Sequence, residues 1–275
     1  MTEVLPPQLQ RTRSLDGTEI GYFASGQGPP LVLVHGILSD HSRFGPLLPF
    51  LEPHTTIFAM DRRGRGASGD HAEYDAFREF EDIAVLVDSV ADATGGAVTL
   101  YGHSSGAALA LNAAMLTPHV RRLVLYEPAI SGANLFPAGL PERLEALLAQ
   151  GDREAVVETF CREVLRFTDE QLEAFRAQPS WPARVAAAHT LPREMRIPPE
   201  QLFRPERAAN IAVPVLILQG ADSPAGFKAD AETVRASLPD ARIAVLDGEG
   251  HSGDIFAPRE AAGALLAFLG EERRP

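Results

Sequence analysis

The five residues Gly102-His103-Ser104-Ser105-Gly106 stand where an apolar run ends and a helical pattern begins, and a serine placed there can act as a nucleophile. The run from Ala97 to Tyr101 is apolar and β-branched and reads as a buried strand; Ala107 to Leu116, rich in Ala, Leu and Met, reads as a helix. Ser104 then falls on a sharp, strained turn. Gly102 and Gly106 supply the small residues that let strand and helix approach closely. The bare G-x-S-x-G spacing is common in glycine-rich chains, but between a strand and a helix it marks a nucleophile elbow, which lifts the hydroxyl above the sheet edge.

A serine hydroxyl is a poor nucleophile near neutral pH, so a base must take its proton and an acid must orient that base. Behind an elbow of this kind the order along the chain is serine, acid, histidine. Of eight histidines, His251 fits: it lies in the loop Gly248-Glu249-Gly250-His251-Ser252-Gly253, directly after the strand pattern Ile243 to Leu246. The acid should end an earlier strand. Val213 to Gln219 is such a strand, and it runs into Gly220-Ala221-Asp222, so Asp222 is assigned as the acid. Taken singly, Asp222 would read as a turn residue and His251 as a surface histidine, since turns favour Asp and Gly. Their order at successive strand ends favours a Ser104–Asp222–His251 triad.

On these residues the chain resembles the α/β-hydrolase superfamily over nearly its whole length. His35-Gly36-Ile37 follows the buried strand Leu31 to Val34, and Asp61-Arg62-Arg63-Gly64-Arg65-Gly66 is similar to the loop that such proteins carry after their next strand. The resemblance implies an oxyanion hole made by the backbone N–H groups of Ile37 and Ser105. Ser105 should therefore give its amide rather than its hydroxyl. In some relatives the acid ends the preceding strand, where Glu127 stands, and this is the alternative to Asp222. Arg62, Arg63 and Arg65 read as structural partners of carboxylates, and His35 and His103 as packing groups around the site. A serine at position 104 excludes the aspartate-nucleophile dehalogenase and epoxide hydrolase branches. The absence of a His-Gly-Gly-Gly loop argues against the hormone-sensitive-lipase branch. The local motifs look closest to esterase, cofactor-free perhydrolase and C–C hydrolase relatives.

Composition bounds the rest. The chain has 275 residues, enough for one large core and an insertion, with 45 % hydrophobic and 23 % charged residues. A net charge of −12 repels nucleic acid and anionic membranes and works against strong steering of anionic substrates. No apolar run is long enough to span a bilayer, and Met1 to Gln10 lacks the basic and apolar regions of a signal peptide, so a cytoplasmic location is expected. The single cysteine, Cys161, has no disulfide partner and reads as a helix-packing thiol. No sequence cluster has metal-ligand spacing and no G-x-G-x-x-G opens a helix after the first strand, so neither a metal nor another cofactor is expected. The expected partner is a small-molecule substrate, with no nucleic acid or membrane; the oligomeric state is not readable.

Strands and helices alternate as a mostly parallel sheet requires. The strand patterns are Leu9 to Ser14 and Glu19 to Ala24 around the hairpin signal Asp16-Gly17, then Leu31 to His35, Thr55 to Met60, the elbow strand, Arg122 to Tyr126, Val213 to Gln219 and Arg242 to Leu246. A helix is expected over Ser42 to Leu51. Between residues 129 and 209 the rhythm changes to helices alone, over Pro141 to Gln150, Asp152 to Phe167 and Asp169 to Gln178, with prolines 179, 182, 192, 198 and 199 breaking the rest. The fold expected is an α/β-hydrolase fold: an eight-stranded core from residues 1–128 and 210–275, with 129–209 as a helical cap inserted after the sixth strand. Phe136 and Trp181 are the cap residues expected to line a substrate pocket, Trp181 from a non-helical stretch. The function expected is hydrolysis of an ester, lactone or related acyl bond of a small, largely apolar substrate through an acyl-enzyme on Ser104. C–C bond hydrolysis or perhydrolysis by the same triad is the alternative within enzymes. A receptor with vestigial activity is the alternative of another class.

Overall fold

The computed structural model of the chain describes residues 7–271, so the reading of the first six residues lies outside it. Eight strands form one sheet: β1 (Gln8–Arg13), β2 (Glu19–Gly26), β3 (Pro30–Val34), β4 (Thr56–Met60), β5 (Val98–His103), β6 (Val120–Tyr126), β7 (Val215–Gly220) and β8 (Ala241–Leu246). Their order is β1-β2-β4-β3-β5-β6-β7-β8. β2 pairs antiparallel with β1 and β4, and every other pair is parallel. The elbow strand β5 lies between β3 and β6, so the loops that follow β3, β5, β6 and β7 open side by side along one sheet edge, where α/β sheets bind ligands.

The helices are α1 (Leu48–Leu51), α2 (Ala76–Thr94), α3 (Ser105–Ala113), α4 (Leu140–Ala149), α5 (Arg153–Glu163), α6 (Asp169–Arg176), α7 (Trp181–Ala187), α8 (Leu191–Met195), α9 (Pro199–Leu202), α10 (Pro205–Ala208), α11 (Ala225–Ser237), α12 (Gly253–Phe256) and α13 (Pro258–Leu269). Successive side chains of a strand point to opposite faces, and this divides the apolar strands between two cores. Val32, Val34, Leu100, Leu123 and Ile217 pack with α2, α3 and α11, whereas Leu31, Leu33, Tyr101, Val124 and Leu218 pack with α1 and α13. Strands buried on both faces read as continuous apolar runs, which is why they were visible in the sequence.

Between β6 and β7 the chain contains only helical turns, α4–α10 with a 3-10 turn at Gly132–Leu135 and another at Ala188–Thr190. These helices build a third core around Leu140, Leu144, Val157, Phe160, Leu172 and Leu191, and Leu38, from the loop after β3, inserts into it. Pro179 and Pro198 fall between helices as expected, but the other three prolines do not break the segment. Pro182, Pro192 and Pro199 occupy the first turns of α7, α8 and α9, where a missing N–H costs nothing. The helix expected over Ser42 to Leu51 is instead a 3-10 turn, His41–Phe44, and the single turn α1, because Gly45 and Pro46 interrupt it. α5 ends at Glu163 rather than Phe167, with Arg166 in a left-handed conformation (φ 60°) before the Thr168–Gln171 capping box of α6. Among the described residues no helix is long and apolar enough to cross a membrane.

Candidate active site

Ser104 joins β5 to α3 with φ 56° and ψ −123°, backbone that costs a non-glycine residue of order 1–3 kcal/mol and is held by its surroundings. The flanking glycines make the turn possible. A Cβ on Gly102 would stand 2.5 Å from the Gly106 carbonyl oxygen, and one on Gly106 would collide with the backbone of Val34 and His35. The strand, the helix and the loop after β3 therefore close on one another only because two side chains are missing.

His251 reaches Ser104 from the loop after β8. Its Nε2 is 2.9 Å from Ser104 Oγ, and its Nδ1 is 2.5 Å from Glu127 Oε2. A carboxylate only accepts, so Nδ1 carries the proton and donates it to Glu127, leaving Nε2 free to accept from the serine hydroxyl. Glu127 is fully buried, sits at the end of β6 with φ 44°, and its second oxygen accepts from the Gly220 amide at 2.8 Å. The acid beside His251 is thus Glu127, which corrects the assignment of Asp222. Asp222 is exposed in the turn after β7, where its amide donates to the Glu249 carbonyl at 2.8 Å. Both acids follow a parallel strand, so the sequence signal was the same for each. The reach of the longer glutamate side chain and the position of β6 beside β5 decide between them.

Two residues around His251 and His103, Phe227 and Arg43, were not foreseen. Phe227, from the first turn of α11, stacks on the imidazole with ring centres 3.9 Å apart and planes 17° apart. On another side lies His103, whose Nε2 is 2.7 Å from Arg43 Nη2 and 2.9 Å from the His251 carbonyl oxygen. Burial, followed by the field of Arg43, holds His103 well below the usual histidine range, so its ring is neutral. Nε2 thus lies between the Arg43 guanidinium, which can only donate, and the His251 carbonyl oxygen, which can only accept, while Nδ1 has no partner. Arg43 is anchored in turn by Asp254 at 2.7 Å. In the sequence these contacts span 60 and 211 residues, beyond any local pattern.

Gly36 packs against the elbow: a Cβ there would stand 3.1 Å from Ser104 Cβ. Ile37 and Leu38 follow in the chain and pack on the third core, with Leu38 in positive φ (50°). Ser105 opens α3, so its amide has no acceptor within the helix. Its hydroxyl turns away to accept from Arg62 Nη1 at 3.2 Å. The arginine loop is structural, as its composition suggested. Arg62 makes a paired contact to Glu79 at 2.6 and 2.8 Å and reaches Glu194 at 2.5 Å, while Arg65 also contacts Glu194 and Arg63 pairs with Asp82. Glu194 belongs to α8, so this buried network ties the helical segment to the core.

The two residues expected to line a substrate pocket both pack on the third core. Trp181 is the first residue of α7, not part of an irregular stretch; its indole donates to Glu154 at 3.1 Å and packs edge-on against Phe175. Phe136 packs on the third core and lines a surface cavity with Pro137, Met195 and Arg196. Cys161 is buried and its thiol is pushed up to about 12, which leaves it without thiolate character near neutrality. Folding does bring together Asp40, His41 and Asp61, a grouping that the sequence did not reveal. The Asp61 oxygens accept from the His41 and Ala67 amides and the His41 ring, and Asp40 caps Ser42, so these groups already have protein partners.

A model of the alpha/beta hydrolase family matches residues 31–265, and this chain belongs to that family. It is similar to the crystal structure of an alpha/beta hydrolase from Sphaerobacter thermophilus, with 37 % identity, a TM-score of 0.81, and coverage of 94 % of this chain and 100 % of that one. Among characterised proteins it is similar to (E)-2-((N-methylformamido)methylene)succinate hydrolase of Acinetobacter baylyi, 23 % identical over 90 % of this chain and 93 % of that protein. It is also similar to 2-(acetamidomethylene)succinate hydrolase of Mesorhizobium japonicum, 27 % identical over 89 % of each chain.

Proposed function

We propose that this protein is a serine hydrolase that cleaves a short acyl group, as an ester or an N-acyl linkage, through an acyl-enzyme on Ser104. The continuous hydrogen-bonded line Ser104–His251–Glu127 carries this reading. His251 Nε2 takes the hydroxyl proton as Ser104 Oγ attacks the carbonyl carbon. Glu127 holds the imidazole in the tautomer that can do this and stabilises the imidazolium that forms. The Ile37 and Ser105 amides receive the oxyanion, each such donor contributing roughly 3–4 kcal/mol to the barrier reduction. The tetrahedral carbon then expels its alcohol or amine, which takes the proton from His251. Water, deprotonated by the same nitrogen, attacks the acyl carbon and returns the serine.

The names of the two relatives, which describe a formamido and an acetamido group, favour N-acyl substrates with one- or two-carbon acyl groups beside simple esters. Helices α4–α8 would act as the cap over the site, with Leu38 as the shared packing residue. We propose a cytoplasmic location and a reaction that needs no cofactor.

The test is hydrolysis of p-nitrophenyl esters from acetate to decanoate by the wild type and by Ser104→Ala. A burst of nitrophenol followed by turnover, absent in Ser104→Ala and strongest for the shortest esters, is the expected result. Full activity in Ser104→Ala would overturn the acyl-enzyme.

A further inference from the structure

Five arginines are buried among the described residues: Arg43, Arg62, Arg63, Arg65 and Arg184. The first four each contact a carboxylate, namely Asp254, Glu79, Asp82 and Glu194 respectively. Arg184 contacts none among the described residues. It lies in α7, only 5 % exposed, stacked on the Phe175 ring at 4.4 Å, with Nη1 donating to the Leu38 carbonyl at 2.9 Å. Its Nε is buried without a partner.

The atoms left over are informative. Arg62 grips Glu79, and Arg63 grips Asp82, through the Nε and Nη2 edge of the guanidinium, the side-on edge that matches two carboxylate oxygens. Arg184 spends Nη1 on Leu38 and keeps that same edge unused. Desolvation, then the nearby Arg43, lowers Arg184 to about 10, so it is still cationic at neutral pH. Asp40 and Asp254 act on it at longer range, but each is engaged with its own partner, Ser42 and Arg43. A buried cation without a counter-ion is costly, and a ligand carboxylate would supply the missing charge.

The placement is close to the reaction. Arg184 holds the carbonyl of Leu38, two residues after Gly36, which packs on Ser104. Two residues span at most about 7 Å of chain, so one short loop links the guanidinium to the residue that packs on Ser104. Its field also reaches His103, the residue before Ser104.

Resting on the serine-hydrolase reading, we propose that Arg184 is a substrate-binding residue that grips a carboxylate of the substrate through its Nε and Nη2 edge. The enzyme's substrates are then acyl esters or N-acyl compounds that carry a free carboxylate a few bonds from the scissile carbonyl. The succinate skeleton in the names of both relatives is of this class. The net charge of −12 gives no long-range help to such a substrate, so selection rests on this local cation.

Two measurements test the assignment. The first compares p-nitrophenyl hemisuccinate with p-nitrophenyl butyrate, nearly the same shape without the charge. The wild type should favour the hemisuccinate in kcat/KM by tenfold or more, and Arg184→Met should lower that ratio at least tenfold, mainly through KM; Arg184→Lys should retain part of it. A wild-type ratio near one overturns the proposal, as does a ratio unchanged in both variants. Equal loss on both substrates would make Arg184 a clamp on the Leu38 loop and would also overturn it. The second is calorimetric titration of succinate into Ser104→Ala, with and without Arg184→Lys, a readout free of turnover. Binding that is weakened at least tenfold by the lysine supports the subsite even if the ester chemistry fails; no binding, or equal binding, refutes it. Inertness of the wild type to every ester, with succinate still bound through Arg184, would instead refute the acyl-enzyme reading alone.

Discussion

Glu127 Oε2 lies 2.5 Å from His251 Nδ1, across 124 residues of sequence, and its other oxygen is fixed by the Gly220 amide at the end of the neighbouring strand. The acid is thus held between β6 and β7 before substrate arrives, and its orientation does not depend on the exposed turn that carries Asp222.

Exchange at these two acids should separate them. Glu127→Gln keeps the shape but can present an N–H to Nδ1 and favours the wrong tautomer, so kcat should fall about 10³–10⁴-fold. Asp222→Asn changes an exposed turn residue and should leave kcat within about threefold of the wild type, as surface substitutions do. The reverse pattern in steady-state ester hydrolysis would return the role to Asp222.

Phe227 should matter through His251. A stacked ring pair is worth about 0.5–1.5 kcal/mol beyond its buried area, so Phe227→Ala, which frees the imidazole to turn away from Ser104, should lower kcat about tenfold. Phe227→Tyr, which keeps the stack, should restore most of it. Equal kcat for wild type and Phe227→Ala would show that the stack does not hold the imidazole.

The ion network between α8 and the core should be a stability determinant. Removing one partner of a buried pair leaves an uncompensated charge and costs about 3–5 kcal/mol. Glu194→Ala strips carboxylate contacts from both Arg62 and Arg65, so urea unfolding should show a loss of that order. A change under about 1 kcal/mol would mean that the two arginines find water or other partners.

The same network sets an acid limit. Burial raises the Glu79 carboxyl, but Arg62 and Arg65 outweigh it and bring it down to about 2, against an ordinary value of 4.5. The unfolded chain therefore binds this proton first. Stability from this group is complete above about pH 4.5 and is lost as the pH falls towards 2. Replacing Glu79 with Gln should lower stability at pH 7 and flatten its dependence between those values. An equally steep acid limb in Glu79→Gln would assign it to other carboxylates.

Tight closure at the elbow predicts a backbone response. In Gly106→Ala the new Cβ would stand 2.6 Å from the Val34 carbonyl oxygen. That overpacking should cost about 1–3 kcal/mol and displace the His35-Gly36-Ile37 loop. Activity should therefore fall further than stability does, measured as kcat against urea midpoint.

The sequence by itself determined the strand and helix alternation, the elbow at Ser104 and the histidine after the last strand. Those signals are local: continuous apolar runs where strands are buried on both faces, and glycines where Gly102 and Gly106 must let backbones touch. It also indicated the change to helices alone between β6 and β7, although it took prolines 182, 192 and 199 for breaks where they open helices. Tertiary structure alone decided which carboxylate meets His251, because Glu127 and Asp222 carry the same strand-end signal and only strand order and side-chain length distinguish them. It also decided that Phe227 stacks on the imidazole, that Trp181 meets Glu154 and Phe175, and that Arg184 meets a carbonyl instead of a carboxylate. Contacts between residues 60 to 211 positions apart depend on how helices and loops dock, and the periodicity of one chain holds no record of the distance across a sheet edge.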